Sequence, residues 1–147
     1  ARGRREIPLD EFFTGPGRNV LKADEVITKI RFPLPSGGRG CFLKLGLRRG
    51  TSCSVASVAV WLAAKGRKVE EARIAFGGVA PTPMRARMTE KSLAGLKLDG
   101  ELIERIAREA QAEIDPISDV RASAEYRRAV SSRLLAKALR GALGMEE

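Results

Sequence analysis

A short stretch of this chain places two cations and a glycine where they could contact an anion or a ring carbonyl. Lys44 and Arg48 fall on one face of a strand predicted over residues 41–47, and Gly46 leaves room between them. The loop that follows has the sequence RRGTSCS and adds Arg49 beside Arg48. On alternation alone, a solvated strand edge is the simpler interpretation of these charges.

The residue types exclude several kinds of active site. There is no histidine, so the commonest general base at neutral pH is missing, as are Ser-His-Asp and Cys-His arrangements. Cys41 and Cys53 fit neither a zinc site nor a CxxC motif. We therefore predict no catalytic residue and no metal ligand in this chain.

The positive charge is concentrated in the middle of the chain. The net charge is +9, from 27 basic and 18 acidic residues, and most of the excess falls on residues 41–80. Such a surface could meet nucleic acid, an anionic cofactor or a partner, or could simply be solvated. No apolar run approaches the roughly 18 residues needed to cross a bilayer, and the start of the chain lacks the apolar core of a secretory signal. We predict a single cytoplasmic domain.

Three consecutive strands are predicted where apolar residues alternate or run together. They cover residues 41–47, 54–62 and 69–76, with Gly66 at the second turn. The middle strand is small and apolar on both faces, which predicts cover on both sides. Residues 21–33 also alternate and predict a further strand. Its core face comprises Val26, Thr28, Ile30 and Phe32, and Ile27 lies on the wetter face.

The period changes from two to about 3.6 after residue 89, which predicts helices. A short helix would begin with Thr89 as its N-cap and end at Gly95. A second would run from Asp99 to Ile114 and bury an apolar stripe of Ile103, Ile106, Ala107, Ala110 and Ile114. The last would run from about Ser123 to Leu143, would stop at Gly141 or Gly144, and would bury Tyr126, Val130, Leu134, Ala138 and their neighbours. The fold class is therefore α+β, with a three- to four-stranded antiparallel sheet packed on one face by C-terminal helices.

Several phrases, in order along nearly the whole chain, resemble one family. They are DEFFTGPGRNVLKADEVITKIRFP, FLKLGLRR, VASVAV, RIAFGGVAPTPMRA and DVRASAEYRRAVSSRLLAKAL. The chain resembles the C-terminal domain of the FAD-binding (medium) subunit of molybdenum hydroxylases, as in carbon monoxide dehydrogenase and xanthine dehydrogenase. The GGVAPTP turn and the D-x-R-x-S-x-x-Y-R-R start of the last helix are the most specific parts.

The resemblance implies a cofactor and partners. In this family FAD is bound chiefly by domains N-terminal to this one. Residues 1–147 would then form a single domain, the C-terminal domain of a larger FAD-binding subunit. The N-terminal FAD-binding region of that subunit would be absent from this chain. The molybdenum cofactor and [2Fe-2S] clusters would belong to partner subunits, and NAD or another electron acceptor would approach the flavin. We expect the isolated domain to be inactive, as one part of a molybdenum-containing oxidoreductase.

The resemblance also assigns positions near the flavin. Ile27 corresponds to an aliphatic residue packed near the isoalloxazine ring, and Lys44 to a lysine by its pyrimidine side. With Leu45, Gly46, Arg48 and Arg49 these are the predicted cofactor-binding residues. Relatives usually carry an acidic residue followed by an aliphatic one where this chain has Ser52-Cys53-Ser54, which implies a more electropositive site here.

The residues leave two other functions open. A basic nucleic-acid-binding module would suit the charge on residues 41–80, but Phe42, Trp61 and Phe76 do not form the clustered surface aromatics of a stacking platform. A purely structural domain that holds subunits together is the other alternative. The flavoprotein interpretation is the leading one, and we expect neither nucleic acid nor a membrane as partner.

Overall fold

The computed structural model describes residues 3–48 and 52–145 and shows an α+β fold. The main sheet is antiparallel with the order β3-β4-β5-β6. Its strands are β3 (Arg39–Gly46), β4 (Ser54–Lys65), β5 (Lys68–Gly77) and β6 (Met84–Arg85). The predicted three-strand unit is confirmed, and the predicted turn at Gly66 has a positive φ of 60°.

The helices follow the sheet. They are α2 (Arg87–Leu93), α3 (Gly100–Glu109), a 3₁₀ turn (Ala110–Glu113) and α4 (Ala124–Leu143). Helix α4 packs on β4 and β3, α2 packs on β5, and α3 packs on α4. The side chains between these layers form the core and include Val58, Ile74, Ile103, Leu135 and Leu139, all at most 1% exposed.

Local sequence accounts for the ends of the two longer helices. Asp99 caps α3 by accepting a hydrogen bond from the backbone N–H of Leu102, and Ser123 caps α4 by accepting from Tyr126. Gly144 ends α4 in the left-handed conformation, with φ of 68°. The predicted stripe of α3 is buried as expected, whereas Tyr126 is 51% exposed, so its predicted burial in α4 is wrong.

The first predicted N-cap is also wrong. Helix α2 begins at Arg87, and Thr89 lies inside its first turn. A carboxylate distant in sequence does the capping: Glu113 accepts hydrogen bonds from the backbone N–H groups of Met88 and Thr89 at 2.9 and 2.8 Å. It also accepts from Thr89 Oγ1 at 2.5 Å. A cap supplied by a remote element leaves no local pattern to recognise.

Replacing Glu113 with alanine should lower the free energy of unfolding by about 1–2 kcal/mol, because α2 then loses a charged acceptor for two N–H groups and a hydroxyl. Urea denaturation measures this change. Glu109→Ala is the matched control on the neighbouring turn, since Glu109 is exposed and its carboxylate lies 3.9 Å from Arg105. Equal effects for the two variants would show that the Glu113 cap is unimportant.

Residues before the main sheet form a small unit of their own. It contains α1 (Leu9–Phe12) and a two-stranded ribbon of β1 (Phe13–Gly15) and β2 (Arg18–Asn19). The predicted strand over residues 21–33 is absent, so that prediction is wrong, and the fourth strand of the main sheet is β6 instead. Alternation shows that a segment suits a strand, but a strand also needs a neighbour to accept its hydrogen bonds.

The predicted cover on both faces of the middle strand is wrong as well. Helices α2 and α4 pack on one face, where Val58, Val60 and Leu62 are buried. On the other face Ala59 is exposed, and Ser57, Trp61 and Ala63 are half-buried. The described part of the chain therefore leaves one side of the sheet open.

Candidate functional site

The open face of the sheet carries small residues on its central strands, and the Lys44 side chain is exposed beside them on β3. Lys44 on β3 pairs with Ser57 on β4, which in turn pairs with Gly77 on β5. In the next row Phe42 pairs with Ala59, and Ala59 with Ala75. Because Ser57, Ala59, Ala75 and Gly77 have small side chains or none, the face is flat over this part of β4 and β5, and a planar group could approach it beside the Lys44 ammonium.

The structure separates the predicted residues of β3 by face. Lys44 is exposed, as predicted. Leu45 is half-buried and pairs with fully buried Ala56, so it belongs to the helix side of the sheet. Strand alternation also predicts Leu47 on the core face with Leu45, but Leu47 is 65% exposed, so that prediction is wrong. Only the backbone of Leu45 could therefore contribute to a site on the open face.

The gap predicted at Gly46 is filled. Strand β3 ends at Gly46, so strand alternation does not fix the direction of Arg48, although Arg48 is exposed. Ser52 returns beside Gly46, and its hydroxyl donates to the carbonyl of Arg48 at 3.3 Å. A Cβ at Gly46 would collide with Ser52 Oγ. The Ser52 side chain thus occupies the space beside Gly46, and the prediction of free space between two cations is wrong. Arg49 lies outside the described residues.

Ile27 lies on an exposed segment outside both sheets. It is 55% exposed, whereas Val26, Ile30 and Phe32 are between 73% and 80% exposed. Val26, Ile30 and Phe32, which were predicted to face a core, are therefore more exposed than Ile27, which was predicted to lie on the solvent side. The predicted core face of this segment is wrong for the described chain. We refer to Val26, Ile30 and Phe32 as the apolar strip.

A buried arginine at the start of α4 was not predicted. Arg127 is 4% exposed, and its Nη1 donates to the carbonyls of Val55 and Gly78 at 2.6 and 2.8 Å. Its Nη2 donates to the Asp119 carboxylate at 2.8 Å. We call these groups the Arg127 cluster. Its Nε is buried and has no acceptor among the described residues.

A sequence pattern could have identified this residue. The buried positions of α4 include 127, 131, 135, 138 and 142, which follow helical spacing. Four of them carry Ser, Leu or Ala, and the first carries arginine. A charged residue on the buried stripe of a helix must find partners inside the protein, since burying an unpaired charge is very costly.

Asp119 supplies the negative charge of the cluster. It accepts hydrogen bonds from the backbone N–H groups of Arg121 and Ala122 and from the guanidinium of Arg127. The Arg121 N–H and then the Arg127 guanidinium hold the pKa of this carboxyl well below its ordinary value of 3.8. Asp119 is therefore ionised at all ordinary pH values and balances the buried guanidinium.

Two kinds of feature are absent from the described residues. They contain no group of three or more His, Cys, Asp or Glu side chains that could hold a metal ion. Within ranges 3–48 and 52–145, no helix is long and apolar enough to cross a membrane.

A one-sided, four-stranded antiparallel sheet with three helices on its back defines an α+β domain that exposes a flat face beside a lysine. The family model named CO dehydrogenase flavoprotein C-terminal domain matches residues 42–142. The chain belongs to this family.

Curated relatives extend the match over most of the chain. It is 36% identical over 140 residues to the glyceraldehyde dehydrogenase medium chain of Sulfolobus acidocaldarius, covering 95% of this chain and 50% of that protein. It is 32% identical over 128 residues to the xanthine dehydrogenase FAD-binding subunit of Escherichia coli O157:H7, covering 86% of this chain and 44% of that protein. The chain therefore spans about half the length of the curated relatives it matches.

Solved structures give the same fold. Carbon monoxide dehydrogenase from Hydrogenophaga pseudoflava, in a form lacking the Mo-pyranopterin moiety, matches with a TM-score of 0.87 and 34% identity. The match covers 97% of this chain and 50% of the other. The predicted fold class and family are both confirmed.

Proposed function

We propose that this chain is the C-terminal domain of the FAD-binding subunit of a molybdenum hydroxylase, where it covers and tunes FAD. The observation that carries the proposal is the structural match to carbon monoxide dehydrogenase over 97% of the chain. Iron–sulfur and molybdenum subunits are the proposed partners, and NAD or another acceptor is the proposed final oxidant. Substrate oxidation would take place in the molybdenum subunit.

The open face of the sheet fits the flavin ring. Ser57, Ala59 and Ala75 leave a flat surface, and Lys44 stands exposed at its side. FAD, when bound, accepts electrons from the iron–sulfur clusters and passes them to the acceptor. The residues proposed to face it are Ile27, Lys44, Gly46, Arg48 and Arg49, together with the backbone of Leu45.

These residues would act by charge and by exclusion of water. The Lys44 ammonium favours negative charge on a neighbouring carbonyl edge, which raises the affinity of the site for electrons. Arg48 and Arg49 add to the positive potential. Ile27 has an apolar side chain that would keep water from the ring. None of them needs to exchange a proton.

The apolar strip supports the proposal that this chain is one part of a larger subunit. Val26, Ile30 and Phe32 are each at least 73% exposed and alternate as in a strand. Burying three such side chains would contribute about 1.5–3 kcal/mol each. The relatives are about twice as long as this chain, and we propose that the other half of the subunit covers this strip.

The structure does not favour nucleic-acid binding. Phe76 is 3% exposed, and Trp61 is half-buried with the Arg73 guanidinium 5.3 Å from its ring centroid. Of the three aromatic residues on β3, β4 and β5, only Phe42 is largely exposed, at 64%. Stacking of successive bases needs several exposed rings, so the sheet offers little for it.

Replacing Lys44 with alanine in the full FAD-binding subunit should lower the two-electron potential of the flavin. Removing one exposed cation should destabilise the reduced flavin relative to the oxidised flavin by about 1 kcal/mol. For two electrons this lowers the potential by roughly 20 mV. A redox titration of the flavin absorbance measures this shift.

Lys91→Ala is the control, because Lys91 is an exposed lysine on α2, which packs on the other face of the sheet. It should leave the potential unchanged. If Lys44→Ala changes neither the potential nor the rate of flavin reduction, the assignment of Lys44 is wrong.

A further inference from the structure

The strand that returns from the candidate site contains a bulge. Leu45 pairs with Ala56, but the next residue, Gly46, pairs with Ser54. Val55 is therefore the extra residue and has no partner on β3. Val55 and Ala56 are consecutive in a strand and both fully buried, which a regular strand with one open face does not allow.

The Arg127 cluster holds this bulge. The carbonyl of Val55 accepts a hydrogen bond from Arg127 Nη1 at 2.6 Å, and the same nitrogen donates to the carbonyl of Gly78 at 2.8 Å. Gly78 has φ of 75°, and a Cβ there would lie 3.1 Å from the Val55 oxygen. One buried guanidinium thus joins the bulge to the end of β5.

The bulge determines where the residues before it lie. Ser54 pairs with Gly46, and Ser52 packs against Gly46 and donates to the Arg48 carbonyl. The segment from Ser52 to Ser54 therefore directly precedes the anchored Val55 and lies beside Gly46 and Arg48. Bulges often occur beside active sites, where they redirect side chains.

The neighbouring arginine provides an internal comparison. Arg128 also donates through Nη1 to two backbone carbonyls, those of Gln111 and Ile114, at 3.2 and 2.8 Å. Its Nη2 lies 3.4 Å from the Asp115 carboxylate. Its partners belong to the end of the α3 region rather than to the sheet. The two arginines thus each donate to two backbone carbonyls, but Arg127 bonds to the sheet and Arg128 bonds to the segment that follows α3.

We propose that Arg127 is a positioning residue for the flavin site: by fixing the bulge at Val55, it sets the place of Ser52–Ser54 against the flavin. The proposal rests on the proposed function, because it takes the flavin to lie beside Lys44. The proposal requires two consequences when the hydrogen bonds of Arg127 are weakened. The segment Ser52–Ser54 should become more mobile than the rest of the domain, and the rate at which the flavin reacts should change.

The test uses Arg127→Lys in the full FAD-binding subunit, with Arg128→Lys as the matched control. Lysine keeps the charge opposite Asp119 but lacks the planar fork of donors. Hydrogen–deuterium exchange in the peptide covering residues 52–57 should be about tenfold faster for Arg127→Lys, since about one hydrogen bond is lost. The Arg128 variant should leave this peptide unchanged. Asp119→Asn is a milder second variant with a smaller increase in the same peptide.

The second readout is the rate at which the reduced flavin reacts with ferricyanide, which should change for Arg127→Lys and not for Arg128→Lys. Unchanged exchange at residues 52–57, or an equal increase throughout the domain, would overturn the proposal. So would faster local exchange with an unchanged ferricyanide rate, provided that Lys44→Ala shifts the flavin potential. If Lys44→Ala changes neither the flavin potential nor the rate of flavin reduction, the assignment of Lys44 to the flavin site is wrong and this inference fails with it.

Discussion

Replacing Arg127 with methionine should lower the free energy of unfolding by about 3 kcal/mol, because removing one partner of a buried ion pair leaves the other groups unsatisfied. The Val55 and Gly78 carbonyls would lose their donor, and Asp119 would lose its buried counter-charge. Methionine fills a similar volume, so the loss would come from polar groups rather than from a cavity. Urea denaturation at pH 7 measures the change.

The ion pair between Arg127 and Asp119 should also make the free energy of unfolding depend on pH in the acidic range. The pKa of Asp119 is lower in the folded chain than its ordinary value of 3.8, so its contribution is fully present above about pH 4 and is lost as the pH falls through the folded value. Part of that lowering comes from Arg127. The Arg127→Met variant should therefore lose less of its remaining stability between pH 5 and pH 2 than the unmodified chain.

Arg128→Met is the control for this experiment. The Arg128 side chain is 39% exposed, so water can replace its hydrogen bonds, and we expect a loss of about 1 kcal/mol or less. Similar losses for the two variants would show that the Arg127 cluster is no more important to the fold than an ordinary surface arginine.

Replacing Leu139 with alanine should lower the free energy of unfolding by about 3 kcal/mol, through lost burial and the cavity left behind. Leu139 is completely buried on α4, the helix that packs on both β3 and β4. The cavity would lie in the main core, whose close-packed neighbours relax only partially to fill it. Thermal or urea denaturation measures the loss.

Tyr126→Ala is the matched control on the same helix. Tyr126 is 51% exposed, so its truncation should cost less than about 1 kcal/mol. Helical spacing predicted that Tyr126 is buried, so this control also tests the exposure of Tyr126 in the fold. A loss as large as that of Leu139→Ala would mean that the original prediction was right and that another surface covers Tyr126.

Features that depend on residues close together in the sequence agree with the predictions made from it. Alternation of apolar side chains predicted β3, β4 and β5, and helical spacing predicted the buried stripe of α3. Asp99 and Ser123 were placed at helix starts, and Gly144 was one of the two predicted ends of α4. In each case the cause is local, since strand and helix periods and caps involve residues a few positions apart.

Features whose deciding partner is distant in sequence differ from the predictions. Alternation in residues 21–33 is genuine, but the described chain supplies no neighbouring strand, and Val26 and Ile30 remain exposed. Thr89 was predicted to cap α2, but the side chain that accepts the hydrogen bonds of its first N–H groups is that of Glu113. The apolar central strand suggested two covered faces, yet its helices pack on one. In the candidate site, Lys44 was found to be exposed as predicted, while the space expected at Gly46 is filled by Ser52.

The sequence by itself determined the α+β class, the order of β3, β4, β5 and the helices that follow them, and the family of this domain. It also determined that Lys44 lies on the face opposite Leu43 and Leu45, because strand geometry allows no other arrangement. Only the tertiary structure decided that Val55 forms a bulge and that Arg127 reaches it across 72 positions of the chain. A buried guanidinium must find acceptors wherever the folded backbone leaves them unpaired, and no local pattern records where that is.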